Sequence, residues 1–159
     1  MVAVIEYFLT GGAGNADPDA SFGGTTSTTN VSGTALNNLF DNVQPPDILG
    51  GDDVNYRAIS VVNTGDATAK NIEWFLTDTT NAESILATWL DAVGTQTIGD
   101  EDTEPTGASG NWTTPLTGTK ESLGDLAAAA EHRIWFRRTV DEDAENLNAD
   151  LGTFHVWAS

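Results

Sequence analysis

Cysteine is absent from this chain of 159 residues. That removes a disulfide framework, a thiolate metal site and a cysteine nucleophile. Basic residues are scarce: six Lys and Arg face 24 Asp and Glu, a formal charge of -18. Phosphate contacts need clustered Lys and Arg, so nucleic acid is not an expected partner. An anionic membrane surface is disfavoured on the same ground. No apolar run approaches the ~18 residues of a membrane helix. Residues 2–9 are apolar but short, lack a basic start and contain Glu6, so they do not read as a signal peptide. Cytoplasmic synthesis is expected. No phosphate loop, dinucleotide fingerprint, Gly-x-Ser-x-Gly or His-Glu-x-x-His motif occurs. The two histidines, His132 and His155, make at most half a zinc site. No catalytic residue, resident cofactor or enzyme activity is expected.

What is present points to β structure. Apolar residues make up 39% of the chain, enough for one domain with its own core. Short runs rich in β-branched and aromatic residues recur between polar turns. They predict strands over 2–10, 54–62, 70–77, 84–92, 132–140 and 153–158. Ile72, Trp74 and Leu76 alternate on one face. A short strand at 112–116 holds Pro115 and so belongs at an edge. Residues 123–130, with four alanines, fit a helical turn or a loop. Residues 63–66 have the composition of a hairpin turn. Leu36, Leu39 and Phe40 have helical spacing behind Thr34, which predicts one short helix over 34–41. Residues 11–30 are rich in Gly, Ser, Thr and Asp, which predicts an extended arm that orders on binding. The expected fold is an all-β antiparallel sandwich with that arm and one helix. Its organisation is 1–53 for strand, arm and helix and 54–159 for the sandwich, packed as one unit with 2–10.

The charge carries a physical message. Uncompensated negative charge opposes a compact state at low salt. At ~1 M salt the Debye length falls to about 3 Å and that repulsion is screened. Lysine occurs only at positions 70 and 120, while Asp and Thr are plentiful, a composition suited to a halophilic host.

Asp17, Asp19, Asp52 and Asp53 lie in loops beside glycines and are candidates for weak cation binding. Acids at 100–104 and 141–145 read as solvated loop charge. Arg133, Arg137 and Arg138 cluster on one predicted strand, with Arg57 on another. Arginine suits bidentate pairing with carboxylates, either within the chain or across a subunit interface. The five tryptophans fall mostly on strands and default to core packing. Trp112, on a loop-flanked edge, is the candidate for stacking on a ligand such as a glycan.

Two resemblances follow from these segments. Residues 59–72 (ISVVNTGDATAKNI), 123–127 (LGDLA) and the strand at 133–139 resemble immunoglobulin-like adhesion modules of archaeal surface proteins. That likeness implies an immunoglobulin-like sandwich, and a module binding host glycan or protein. A broader set is similar to small virion structural proteins of tailed phages and archaeal tailed viruses. It comprises 5–24 (IEYFLTGGAGNADPDASFGG), 35–43 (ALNNLFDNV), 56–64 (YRAISVVNT) and 134–140 (IWFRRTV). The heavy acidity departs from the phage pattern and fits a haloarchaeal host. This likeness implies a non-enzymatic head decoration or turret subunit in the virion, or else a tail-tip, baseplate or neck component. Its partners would be the major capsid protein or tail proteins and further copies of itself, in closed cyclic symmetry. The residues expected at contacts are Tyr7, Leu9, Phe22, Leu39, Phe40, Arg133, Arg137 and Arg138.

Overall fold

Strand alternation sorts the chain into two antiparallel sheets. The computed structural model describes residues 1–36, 38–40, 51–77, 80–81, 84–142 and 152–158. The strands are β1 (Ile5–Leu9), β2 (Asp53–Asn63), β3 (Ala69–Thr77), β4 (Thr80–Asn81), β5 (Ser84–Asp91), β6 (Glu121–Leu126), β7 (Glu131–Val140) and β8 (Thr153–Trp157). The large sheet has the order β1-β2-β7-β5-β4 and the small sheet the order β6-β3-β8. The all-β, two-sheet expectation holds. The strand order does not identify the immunoglobulin type. Next to β2 lies β7, which one strand follows among the described residues, where the immunoglobulin layout has a strand followed by two.

The main core lies between the sheets. Ile59 and Val61 on β2 and Ile134 and Phe136 on β7 face Ile72, Trp74 and Leu76 on β3. A second cluster forms on the opposite face of the large sheet. Tyr56, Ala58, Trp135 and Ile98 are buried there, with Phe22, Val54, Trp89 and Trp112 packed around them. β2 is therefore buried on both faces from Asn55 to Val61. The cover on the outer face is loop, not a third sheet.

That cover corrects the arm. Past the end of β1, the edge of β2 is completed by loops. The Ala58 amide donates to the Ser21 carbonyl at 2.8 Å and the Tyr56 amide to that of Glu101 at 2.8 Å. Residues 10–31 fold back as a clasp, with Gly11 donating to Gly23 and Ser27 to Leu9. Thr10 and Ser21 are fully buried. The Ser21 hydroxyl accepts from the Thr10 amide at 2.8 Å and donates to the Ala58 carbonyl at 2.6 Å. The hydroxyl-rich composition that suggested a free arm instead satisfies backbone groups inside the fold. Gly23 carries a φ of 81° and lies so close to Trp135 that a Cβ would meet the ring at 2.5 Å.

Other expectations change locally. Residues 63–66 do not close a hairpin: β2 and β3 lie in different sheets, and the turn is the corner between them. At 112–116 there is no strand, only a bridge between Thr88 and Thr113. Residues 121–126 form β6 and 127–130 a turn, so no helix occurs there. No helix appears among the described residues of 34–41, while Asn37 and Asp41 lie outside them. The single helical element described is a 3-10 turn, Pro18–Ala20, with Pro at its start and Asp17 as N-cap.

Candidate binding surface

The arginines show how this acidic chain uses its few cations. Arg57 is fully buried and its Nη2 pairs with Asp19 and, at 2.5 Å, with Glu101. Its guanidinium lies 4.8 Å from the Phe22 ring centroid and 5.7 Å from that of Phe40. One charge thus ties the clasp and the 100–104 loop to β2. Arg133 is also buried; it donates to the Gly94 carbonyl and to the hydroxyls of Thr26 and Ser60, each at 3.1 Å. Burial pulls its pKa down, against the opposing pull of Glu131 and Asp91. Arg138 donates to Asn55 Oδ1 at 2.5 Å and lies 5.0 Å from the Phe40 ring. Arg137 lies 5.3 Å from the Trp112 ring.

These placements revise the expected contact set. Leu9 and Arg133 are buried within the chain and offer a partner no surface. Tyr7 packs edge-on against Phe154 at 5.8 Å, and Leu39 and Phe40 pack against the main core. Phe22 belongs to the outer cluster. Arg137 and Arg138 are half-buried.

The loop acids are also engaged. Asp17 accepts from the Asp19 amide at 3.2 Å, Asp19 pairs with Arg57, and Asp52 accepts from the Glu142 amide at 3.3 Å. Asp53 accepts from Asn55 at 3.3 Å. Among the described residues, no three His, Asp or Glu side chains converge as a cation site. Glu101, Asp102 and Glu104 are structural acceptors for Arg57, Asn55 and Trp112 rather than free loop charge.

Trp112 is held as part of the outer cluster. Its indole N–H donates to Glu104 at 2.7 Å, and its ring lies 5.5 Å from Tyr56 and 6.4 Å from Trp89. Burial pushes the Tyr56 phenol up, helped by Glu104 and opposed by Arg137. An open cleft of about 510 Å³ elsewhere on the surface is lined by Gly24, Thr25, Thr26, Gly94, Thr95 and Glu131, without an aromatic ring.

The exposed aromatic surface lies on the other side of the molecule. On β3, Ile72, Trp74 and Leu76 face the core, which turns Glu73, Phe75 and Thr77 outward. The register pairs Glu73 with Trp157, Phe75 with His155 and Thr77 with Thr153, so these residues share one outer face. Phe75 and His155 stack in parallel, 4.6 Å apart at 10°. His155 Nε2 and the Thr77 hydroxyl share a hydrogen bond of 3.0 Å. Trp157 is 59% exposed. The Lys120 ammonium lies 5.6 Å from the Phe75 ring and 5.8 Å from that of Trp157, with Glu73 Oε2 at 3.4 Å. The sequence signal was Phe75, an aromatic on the otherwise polar face of an alternating strand; its partners become visible only through the β3–β8 register.

Comparison with models of protein families, with curated proteins and with solved structures finds no match to this chain.

Proposed function

We propose that this chain is a non-enzymatic structural subunit of a tailed-virus particle from a haloarchaeal host, placed on the head as a decoration or turret protein. The observation that carries the reading is spatial. The segments similar to tailed-virus structural proteins are scattered in sequence, at 5–24, 35–43, 56–64 and 134–140. In the fold, three of them converge: β1 and the clasp, β2 and β7 are consecutive neighbours in the large sheet. Arg57, from the third segment, pairs with Asp19 of the first, and Gly23 lies against Trp135 of the fourth. A likeness that follows one packed unit supports a shared structural role better than isolated motif matches would.

The mechanism is passive attachment of a rigid sandwich to a lattice of other virion proteins. The backbone of the clasp is committed to the fold, so it does not reach out as a free arm, and attachment falls to exposed groups on the folded surface. Among the described residues, Val2, Val4, Ile85, Val93 and Leu116 are exposed aliphatic side chains available for it.

Purified virions separated into heads and tails, with peptides of this chain quantified by mass spectrometry, test the reading. Many copies travelling with heads is the expected result. Few copies travelling with tails would replace it with a tail-tip, baseplate or neck role. Absence from both fractions would remove the virion assignment.

A further inference from the structure

We propose that the outer face of the large sheet carries a binding site for a single carboxylate, with the Arg137 guanidinium and the Tyr56 hydroxyl as its donors. The proposal stands apart from the particle reading and rests on this site alone.

The pairing of the cations singles out Arg137. The chain has six Lys and Arg, all of them described, against 24 Asp and Glu. Five of the six hold a carboxylate oxygen at 3.8 Å or closer: Arg57, Lys70, Lys120, Arg133 and Arg138. Among the described residues Arg137 has neither an ion pair nor a hydrogen bond, and its guanidinium lies against the Trp112 ring at 5.3 Å. A half-buried charge is costly to leave unpaired, and a cation–π contact satisfies none of its N–H donors. The guanidinium fork matches a carboxylate in two parallel hydrogen bonds.

The surroundings supply a second donor and a fixed orientation. Tyr56 on β2 stands directly opposite Arg137 on β7, and Ala87 on β5 stands opposite it on the other flank. Directly opposed residues have Cβ atoms about 4.5–5.5 Å apart. The Arg137 Nε is buried, whereas its terminal nitrogens are not, so these are the donors left for a ligand. Tyr56 is buried as a residue, yet its hydroxyl oxygen is not, and it makes no hydrogen bond among the described residues. Burial raises the phenol, Glu104 adds to the rise and Arg137 opposes it, so both charges face the hydroxyl, which stays protonated as a donor. Glu104 accepts from the Trp112 indole at 2.7 Å and forms no ion pair with Arg137. Trp112, fixed in this way, holds the guanidinium against its ring before any ligand arrives. The ring face is taken by Arg137, so the ligand meets the edge of the guanidinium.

Charge selects a carboxylate over phosphate. The chain carries a formal charge of -18, which repels a dianion more strongly than a monoanion. Glu104 beside the phenol sharpens that difference locally. The carboxylate can belong to a free ligand or to an Asp or Glu of a second copy of the chain.

The test uses the full chain labelled at its indole and guanidinium nitrogens. Sodium acetate, sodium benzoate and sodium phosphate each replace NaCl at a constant ionic strength of about 1 M, so that screening does not change. The expected result is a saturable shift of the Arg137 and Trp112 resonances with a carboxylate in the millimolar range, and a weaker response to phosphate. Arg137→Lys, which keeps the charge but loses the fork, should weaken binding about tenfold. Tyr56→Phe, which keeps the ring but loses the donor, should weaken it about threefold or more. Both variants are expected to melt at the temperature of the parent chain in NaCl. Sedimentation without the probes separates the two sources. A monomer that shows the shift assigns the site to a free carboxylate. Self-association that both acetate and Arg137→Lys reverse assigns the carboxylate to a second copy, and either result upholds the site. Three results overturn it: no shift in a monomeric chain, a shift that Arg137→Lys leaves undiminished, or phosphate bound more tightly than either carboxylate.

Discussion

Asn63, fully buried at the corner between the sheets, satisfies four backbone groups. Its Oδ1 accepts from the Val4 and Gly65 amides at 3.2 and 3.1 Å, and its Nδ2 donates to the Ala67 and Leu126 carbonyls at 2.7 and 2.9 Å. Each buried group left unpaired costs about 1–3 kcal/mol. Asn63→Leu is therefore expected to cost about 3 kcal/mol or more in chemical denaturation. An unchanged denaturation midpoint would mean that the corner is not held this way. Gly23→Ala joins two penalties, a positive φ and a Cβ driven into Trp135. A loss of about 2–4 kcal/mol is expected by the same measurement. The tyrosines supply a pH test. Burial raises both Tyr7 and Tyr56 above the ordinary phenol value of 10.0. The folded state thus holds these protons more tightly than the unfolded chain. Stability is full below the ordinary value and is lost as pH climbs from it through the folded value. Phenolate absorbance should lag behind that of free tyrosine and appear together with unfolding. Ordinary titration of either tyrosine in the native state would contradict its burial.

At the scale of elements, the clasp is the main departure from the sequence-based expectation. A Gly/Ser/Thr/Asp-rich stretch has the composition of a disordered arm. Composition does not record that its hydroxyls and the Ser21 carbonyl meet the unpaired edge of β2, or that Asp19 meets the buried Arg57. Removal of residues 1–30 would strip away β1, expose the β2 edge and strand Arg57 without one of its carboxylates. Asp19 is itself 38% exposed and Arg57 keeps Glu101, so the lost pair adds to this damage without deciding it. The truncated chain is expected to lose its cooperative melting transition in circular dichroism. A truncated chain that melts cooperatively near the full-length temperature would restore the free-arm reading. The main strands were legible because each pairs a β-rich composition with an apolar face. The strand at 112–116 was not, because Pro115 and the local polar loop reduce it to a single bridge.

At the scale of the whole molecule, self-repulsion governs behaviour in solution. Of the cations, Arg57 and Arg133 are buried, so the surface is more acidic than the composition alone implies. Raising NaCl from about 0.1 M to about 1 M shortens the Debye length from about 10 Å to about 3 Å. The melting temperature is expected to rise across that range, and a flat or falling one would count against a halophilic setting.

The sequence by itself determined the all-β class, most strand positions and the acidic, cysteine-free chemistry. These depend on local alternation and on composition, which are read along one strand at a time. Tertiary structure decided which strands are neighbours, and through that which side chains meet. It put a second apolar cluster outside the large sheet and turned the clasp inward. It moved the exposed tryptophan from position 112 to 157, because Trp112 packs into the outer cluster against Tyr56 and Trp89 while the β3–β8 register leaves Trp157 in solvent. The physical reason is that burial belongs to pairs of segments brought together across the chain, whereas periodicity belongs to each segment alone.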